Sequence, residues 1–170
     1  RIESLFRGAV RRRLFTPTEA TAALDRVTPV LDTVSLTNTD LVIEAAIERL
    51  DLKRAIFRNL EGRTRADTVL ATNTSALPID SLAEGLAHPE RVVGLHFFNP
   101  VHRMNLVEIV RGARTSPAAL ATALEFTKAI GKLPVVVRDS PGFLVNRVLM
   151  PGLVEAVRLF REGHAATAID

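Results

Sequence analysis

Short runs rich in Val, Ile and Leu alternate along this chain with longer amphipathic runs, and that alternation limits its fold more than any other feature. Parallel strands cannot be joined by a tight turn; they need a crossover, usually a helix. Strand-like runs separated by helix-length runs therefore predict βαβ units and a parallel sheet. Leu41-Val42-Ile43 reads as a buried strand, followed by a helix from about Asp51 to Leu60. Val69-Leu70-Ala71-Thr72 reads as the next strand, with a helix around Asp80 to Leu86. Arg91 to Phe97 and Leu106 to Val110 are two further strands, and a helix from about Pro117 to Ile130 leads to Val135-Val136-Val137.

The two ends break the pattern. Ser140-Pro141-Gly142 has the composition of a helix start, with serine as N-cap and proline at the first helical position. The helix from Phe143 past Phe160 is apolar on several faces, which predicts a long, largely buried bridge into another domain. At the other end the chain opens in a helix, Ile2 to about Leu14, not in a strand. No Gly-x-Gly-x-x-Gly occurs, so the loop that seats a pyrophosphate is not among these residues. An α/β sheet missing its first strand, in an N-terminally truncated chain, is the simplest expectation.

Composition narrows the function classes. Of 170 residues, 47% are apolar and 24% charged, as in a globular protein with a substantial core. No apolar stretch approaches the roughly 20 residues that span a bilayer, so no membrane span is expected. The absence of cysteine excludes disulfides, thiolate metal sites and a cysteine nucleophile, and fits a cytoplasmic location. A net charge of +3 and the absence of Trp and Tyr give no reason to expect a nucleic-acid partner. His88, His102 and His164 show no metal-ligand spacing, and no Gly-x-Ser-x-Gly is present, so no metal is expected.

His96 is the sharpest candidate for chemistry. It closes Val92-Val93-Gly94-Leu95, where a parallel strand delivers side chains to the crevice at its carboxyl end. A histidine in an apolar strand is more often a satisfied core or surface residue. Glu108 shifts the balance, because in Leu106-Val107-Glu108-Ile109-Val110 a carboxylate interrupts an apolar strand, and burying it is costly unless it is paired. Glu108 either faces water from an edge strand or meets a nearby imidazole, the arrangement of a general base oriented by an acid. Asn73-Thr74-Ser75 closes another strand with small polar groups, as a site edge or as a plain helix cap. Asn146 either reaches the crevice or is a helix-surface amide. Glu44, Glu48 and Lys53 form either a solvated ion pair or a loop facing a ligand. Arg11-Arg12-Arg13 is either a solvated helix face or a seat for an anionic tail.

Five stretches together resemble the 3-hydroxyacyl-CoA dehydrogenase family, in the family's order. They are Asp40-Leu41-Val42-Ile43-Glu44-Ala45, Ala71-Thr72-Asn73-Thr74-Ser75, Gly94-Leu95-His96-Phe97-Phe98-Asn99-Pro100, Leu106-Val107-Glu108, and Asp139 to Arg147. Asn99-Pro100-Val101-His102-Arg103-Met104 looks most like the multifunctional α subunit of the fatty-acid oxidation complex. The resemblance implies a Rossmann-like, doubly wound sheet lacking its first βα unit, followed by the start of an all-α C-terminal domain. Residues 1–139 would be the NAD-binding domain and 140–170 the bridging helix with the start of the helical domain.

The same resemblance implies NAD as cofactor and a 3-hydroxyacyl-CoA as substrate, oxidised to the 3-oxoacyl-CoA in fatty-acid β-oxidation. It makes His96 the catalytic base and Glu108 its orienting partner. Ser75 and Asn146 match substrate-holding positions, and Arg13 lies near positions for the CoA phosphates. Ala46, Ile47, Glu48, Lys53, Ser75 and Asn99 match positions lining the NAD site. A homo-oligomer or a thiolase-type partner is expected with it. The competing readings are a non-catalytic binding or structural protein on this fold, and a hydroxy-acid dehydrogenase that does not use CoA. Without a glycine loop, these residues alone are expected to bind NAD weakly and to be a poor enzyme.

Overall fold

A computed structural model describes residues 2–31 and 34–169. They fall into two compact units, Arg1–Val34 and Ser35–Asp170. The first unit is a helix pair, α1 (Ile2–Arg11) and α2 (Pro17–Leu24). The helix expected to reach Leu14 ends at Arg11, because Arg13 turns left-handed at φ 58°. α2 is not among the helices expected above, although Thr16-Pro17-Thr18-Glu19 encodes its start. The Thr16 hydroxyl accepts the Glu19 amide at 3.2 Å while the Glu19 carboxylate accepts the Thr16 amide at 2.8 Å, and Pro17 follows the cap.

The second unit is built on five strands lying side by side in chain order: β1 (Leu41–Glu44), β2 (Val69–Thr72), β3 (Val92–Phe97), β4 (Leu106–Arg111) and β5 (Leu133–Arg138). Between them come α3 (Leu50–Glu61), α4 (Ile79–Leu82) and α5 (Pro117–Ala129). Side chains alternate between the two faces, as a pleated strand requires. Leu70, Val92 and Val110 pack with Phe57, Ile79 and Phe143 on one face. Val69, Val93, Leu95, Val107 and Ile109 pack with Ala119 and Ala123 of α5 on the other. Helices on both faces of a mostly parallel sheet make a Rossmann-like α/β fold.

One pairing departs from the fully parallel sheet expected. β1–β2, β2–β3 and β4–β5 are parallel, but β3 and β4 run antiparallel. Only residues 98–105 separate them, fewer than the dozen or so that a parallel crossover needs. Gly94, opposite Val110 in this pair, is fixed by the close approach: a Cβ there would sit 2.6 Å from Val110 Cβ.

The final helices are α6 (Val145–Arg161) and α7 (Ala166–Ile169). Ser140 does not cap α6 as expected, because Gly142 (φ 75°) and Phe143 (φ 49°) are left-handed and cannot continue a right-handed helix. Nor is α6 largely buried: none of its residues is, and Val148 and Val154 are 71% and 65% exposed. Apolar residues on several faces indicate that a helix needs cover, and none among the described residues provides it. Among those residues no helix is long and apolar enough to cross a membrane, and no group of three or more acidic or histidine side chains could hold a metal ion.

Candidate active site

The parallel strands β1, β2 and β3 end at one edge of the sheet, so the residues that follow them are delivered there. Antiparallel pairing places His96 of β3 directly opposite Glu108 of β4, on the same face. Their side chains meet: His96 Nδ1 lies 2.6 Å from Glu108 Oε2, with the residues only 4% and 0% exposed. A carboxylate only accepts, so the imidazole carries its proton on Nδ1 and donates it. β4 is an interior strand, and Glu108 does not face water from an edge.

The other carboxylate oxygen is equally committed. Glu108 Oε1 accepts the backbone amides of Leu144 at 2.9 Å and Val145 at 2.8 Å, where α6 begins. It caps α6 in place of the serine expected there, and its three donors satisfy a charge held away from water. The imidazole is flanked by aromatic rings, Phe98 with centroids 4.6 Å away and Phe143 at 5.7 Å. Its Nε2 takes no hydrogen bond from the described residues, which leaves that nitrogen as the acceptor for an incoming proton.

A second buried pair stands behind the β1 edge. Lys53 Nζ donates to both oxygens of Glu44 at 2.9 Å and to the Ala46 carbonyl at 3.2 Å, and lies 3.4 Å from Glu48 Oε2. Thr72 Oγ1 and the Ala46 amide complete the shell of Glu44. Lys53 and Glu44 are 1% and 5% exposed, so the solvated ion pair considered from sequence is in fact a buried one. Burial raises the Glu48 pKa, but the Thr74 hydroxyl, the Ser75 amide and the Lys53 ammonium together outweigh it and hold the carboxyl below its ordinary value.

These contacts gather most of the expected residues. Glu48 Oε1 accepts the Ser75 amide at 2.9 Å, and Asn146 Nδ2 reaches the Ser75 carbonyl at 3.4 Å. Ser75, His96 and Glu108 are thus linked through the start of α6. Thr74 does not cap a helix; its hydroxyl accepts the Leu77 amide at 2.9 Å and closes a turn ahead of α4, which Pro78 precedes without a side-chain cap. Ala46 joins through its backbone, while Ile47 is 71% exposed on the same loop. Asn99 is exposed just past β3, and no hydrogen bond or ion pair among the described residues ties its side chain to the others. Arg13 belongs to the first unit and is exposed there. Asn73, expected at this edge with Thr74 and Ser75, joins β2 to β3: its Oδ1 accepts the Phe97 amide at 2.9 Å. One contributor was not expected from the sequence: Phe143, whose ring meets that of His96.

Fold and edge together define a class: a Rossmann-like nucleotide-binding domain whose carboxyl edge holds a buried histidine–glutamate pair. The family model described as 3-hydroxyacyl-CoA dehydrogenase, NAD binding domain, matches residues 1–140, and the chain belongs to that family. It is 45% identical over 161 residues to the fatty acid oxidation complex subunit alpha of Psychrobacter arcticus, covering 95% of this chain and 22% of that protein. The corresponding subunit of Pseudomonas putida is 42% identical over 166 residues, covering 98% and 23%. The chain therefore spans less than a quarter of these relatives. Among solved structures, 3-hydroxybutyryl-CoA dehydrogenase of Escherichia coli K12 superposes with a TM-score of 0.92 at 42% identity, covering 97% of this chain and 35% of that one. The (S)-3-hydroxybutyryl-CoA dehydrogenase PaaH1 of Ralstonia eutropha gives 0.91 at 38% identity, covering 95% and 57%.

Proposed function

We propose that this chain carries the base and part of the cofactor site of an NAD-dependent (S)-3-hydroxyacyl-CoA dehydrogenase of fatty-acid β-oxidation. The observation that carries the reading is the His96–Glu108 pair, buried, short and open only at Nε2. His96 Nε2 takes the proton from the substrate's 3-hydroxyl as the C3–H bond breaks. Glu108 fixes the tautomer that makes Nε2 an acceptor and stabilises the imidazolium that forms. Ser75 and Asn146 hold the substrate near the reacting carbon, and Arg13 serves the CoA phosphates.

NAD, when bound, provides the acceptor for the hydride from C3. The exposed edge fits part of it: an apolar Ile47 stands on the loop beside Ala46 and Glu48, with the exposed polar side chains of Ser75 and Asn99 closing β2 and β3. Lys53 acts on that side through the loop it holds. The pyrophosphate is not served by these residues, which contain no Gly-x-Gly-x-x-Gly, so NAD affinity from them alone should be weak.

Residues 1–139 form part of the NAD-binding domain on this reading, and 140–170 bridge into a helical domain; the family match ending at residue 140 supports the division. A cytoplasmic location, and assembly with a second copy or a thiolase-type partner, belong to the same proposal. The test is NADH oxidation by the full-length protein with acetoacetyl-CoA and, separately, with acetoacetate. Turnover of the thioester alone is expected. Equal turnover of the free acid would favour a hydroxy-acid dehydrogenase, and no turnover of either would favour a binding protein.

A further inference from the structure

We propose that Phe143 is a positioning residue for the base, holding the His96 imidazole in its pair with Glu108 and keeping water from that hydrogen bond. The inference rests on reading His96 as the base. Phe143 adopts φ 49°, a left-handed backbone that is a genuine outlier for a bulky side chain. Phe143 is 4% exposed and belongs to the apolar cluster that includes Phe57, Leu70, Ile79, Val92 and Val110. The ring also meets the His96 ring at 5.7 Å and 61°, while Phe98 approaches the imidazole at 4.6 Å and 55°.

Filling the core does not explain the backbone. A phenylalanine can reach an apolar core from ordinary φ, and a residue needed only for a left-handed turn would be glycine, which has no Cβ to clash. Phe143 meets both demands at once. Gly142, itself at φ 75°, and Phe143 reverse the chain, so that the amides of the next two residues, Leu144 and Val145, converge on Glu108 Oε1. A Cβ on Gly142 would lie 3.1 Å from the Arg147 amide nitrogen, a tight approach, so space as well as φ favours glycine at that position and leaves the second left-handed position to Phe143. Phe143 N donates to the Ser140 carbonyl at 2.8 Å and Arg147 N to the Gly142 carbonyl at 3.0 Å, closing the turn on both sides. One residue thus anchors the turn that holds one oxygen of Glu108, and walls the histidine that holds the other. Removing the ring should leave Glu108 held by the Leu144 and Val145 amides and the imidazole walled by Phe98 alone, freer to turn away from the acid.

The test compares Phe143→Leu with Phe57→Leu in the full-length protein. Phe57 belongs to the same apolar cluster and forms no ring contact with His96, so it controls for loss of core packing. Melting temperature, kcat and KM for acetoacetyl-CoA, and solvent exchange of the His96 Nδ1 proton by NMR are read for each. Both variants should lose stability to a similar extent. Only Phe143→Leu should lower kcat, by roughly tenfold or more at little changed KM, as misaligned catalytic groups do. It alone should also speed exchange of the Nδ1 proton. Phe143→Met, which keeps more of the apolar volume, is measured alongside in case leucine does not fold, and is expected to show the same kcat loss. Kcat within twofold of the parent in either Phe143 variant, or an equal loss in Phe57→Leu, would overturn the proposal. If His96→Gln keeps its turnover, the base assignment fails first; unchanged exchange in Phe143→Leu would then refute the shielding role as well.

Discussion

Among the described residues, two carboxylates are buried against basic partners, and they are used in opposite ways. Glu44 meets Lys53, and Glu108 meets His96. Both pairs bridge neighbouring elements, and both carboxylates are satisfied by further donors, as a buried charge must be. The difference lies in the bases. The Lys53 ammonium is committed on every side, to both oxygens of Glu44, to the Ala46 carbonyl and to Glu48. His96 commits Nδ1 alone. Burial and pairing therefore do not separate a structural pair from a reactive one; the uncommitted atom does. Lys53 fixes the loop after β1, whereas His96 is fixed so that Nε2 can react.

The largest expected effects break the reactive pair. His96→Gln removes the base and should lower turnover by about 10²–10⁴. Glu108→Gln should be as damaging, for a reason specific to this structure. The Leu144 and Val145 amides both point at Oε1, so a glutamine must keep its oxygen there and turn its NH2 toward His96. The NH2 would donate to Nδ1, drive the imidazole proton to Nε2 and block the acceptor. The double variant should then be scarcely worse than either single one, as for residues that act as a unit. NADH consumption with acetoacetyl-CoA across a pH series measures all three, and losses that multiply independently would show that the two residues do not act together.

The structural pair should respond in stability instead. Lys53→Met leaves Glu44 charged, buried and without its cation, which should cost about 3–5 kcal/mol in a urea titration. Adding Glu44→Gln should restore part of that loss by removing the stranded charge. A Lys53→Met protein as stable as its parent would abolish the distinction between the two pairs. Gly94→Ala is expected to do less, about 1–3 kcal/mol, by forcing β3 from β4 two residues before His96. Its turnover should fall more than that of a core variant of equal stability, because the strain falls on the strand pair that aligns the dyad.

Much of this contrast was legible in the sequence, unevenly. His96 and Glu108 stand out because each is a polar residue in an apolar strand, and their family motifs fix the order. Their mutual contact was legible only as a possibility, because it depends on antiparallel register. The short span of residues 98–105 was the signal for that reversal. Lys53 was not legible as a buried residue: on a helix it reads as a solvated lysine, and only the fold lowers Glu44 onto it. The left-handed pair at Gly142 and Phe143 was hidden behind Ser140-Pro141, which has the composition of a helix start. What displaced that start is a carboxylate on a distant strand, and no local pattern encodes it. The exposure of α6 was likewise misread, because apolar residues record the need for a partner without saying whether the partner lies in the same stretch of chain.

The smallest effects sharpen the comparison by setting two partly exposed carboxylates against each other. Asp139 begins the turn into α6, and its carboxylate accepts the Asp80 amide at 3.1 Å. Burial and the nearby Asp80 charge raise its pKa despite that hydrogen bond and a second from the Ile79 amide. A carboxyl whose folded pKa lies above its unfolded one destabilises the fold when ionised. That penalty is full at neutral pH and is relieved as pH falls through the raised pKa to the unfolded value. Asp139→Asn keeps an acceptor without the charge, so it should raise the melting temperature at neutral pH, and the gain should vanish in acid. Glu48 is the opposite case, since its pKa is lowered. Its ionised form adds stability above the unfolded pKa, which is lost as pH falls through the lowered one, so Glu48→Gln should be less stable than its parent at neutral pH and should converge with it in acid. Both groups are substantially solvated, and screening should keep each difference below about 1 kcal/mol. Thermal melts from neutral pH to about pH 3, spanning the ordinary carboxylate range, should therefore show two curves that approach the parent from opposite sides. Approach from the same side would mean that burial and the Asp80 charge together do not raise the Asp139 pKa.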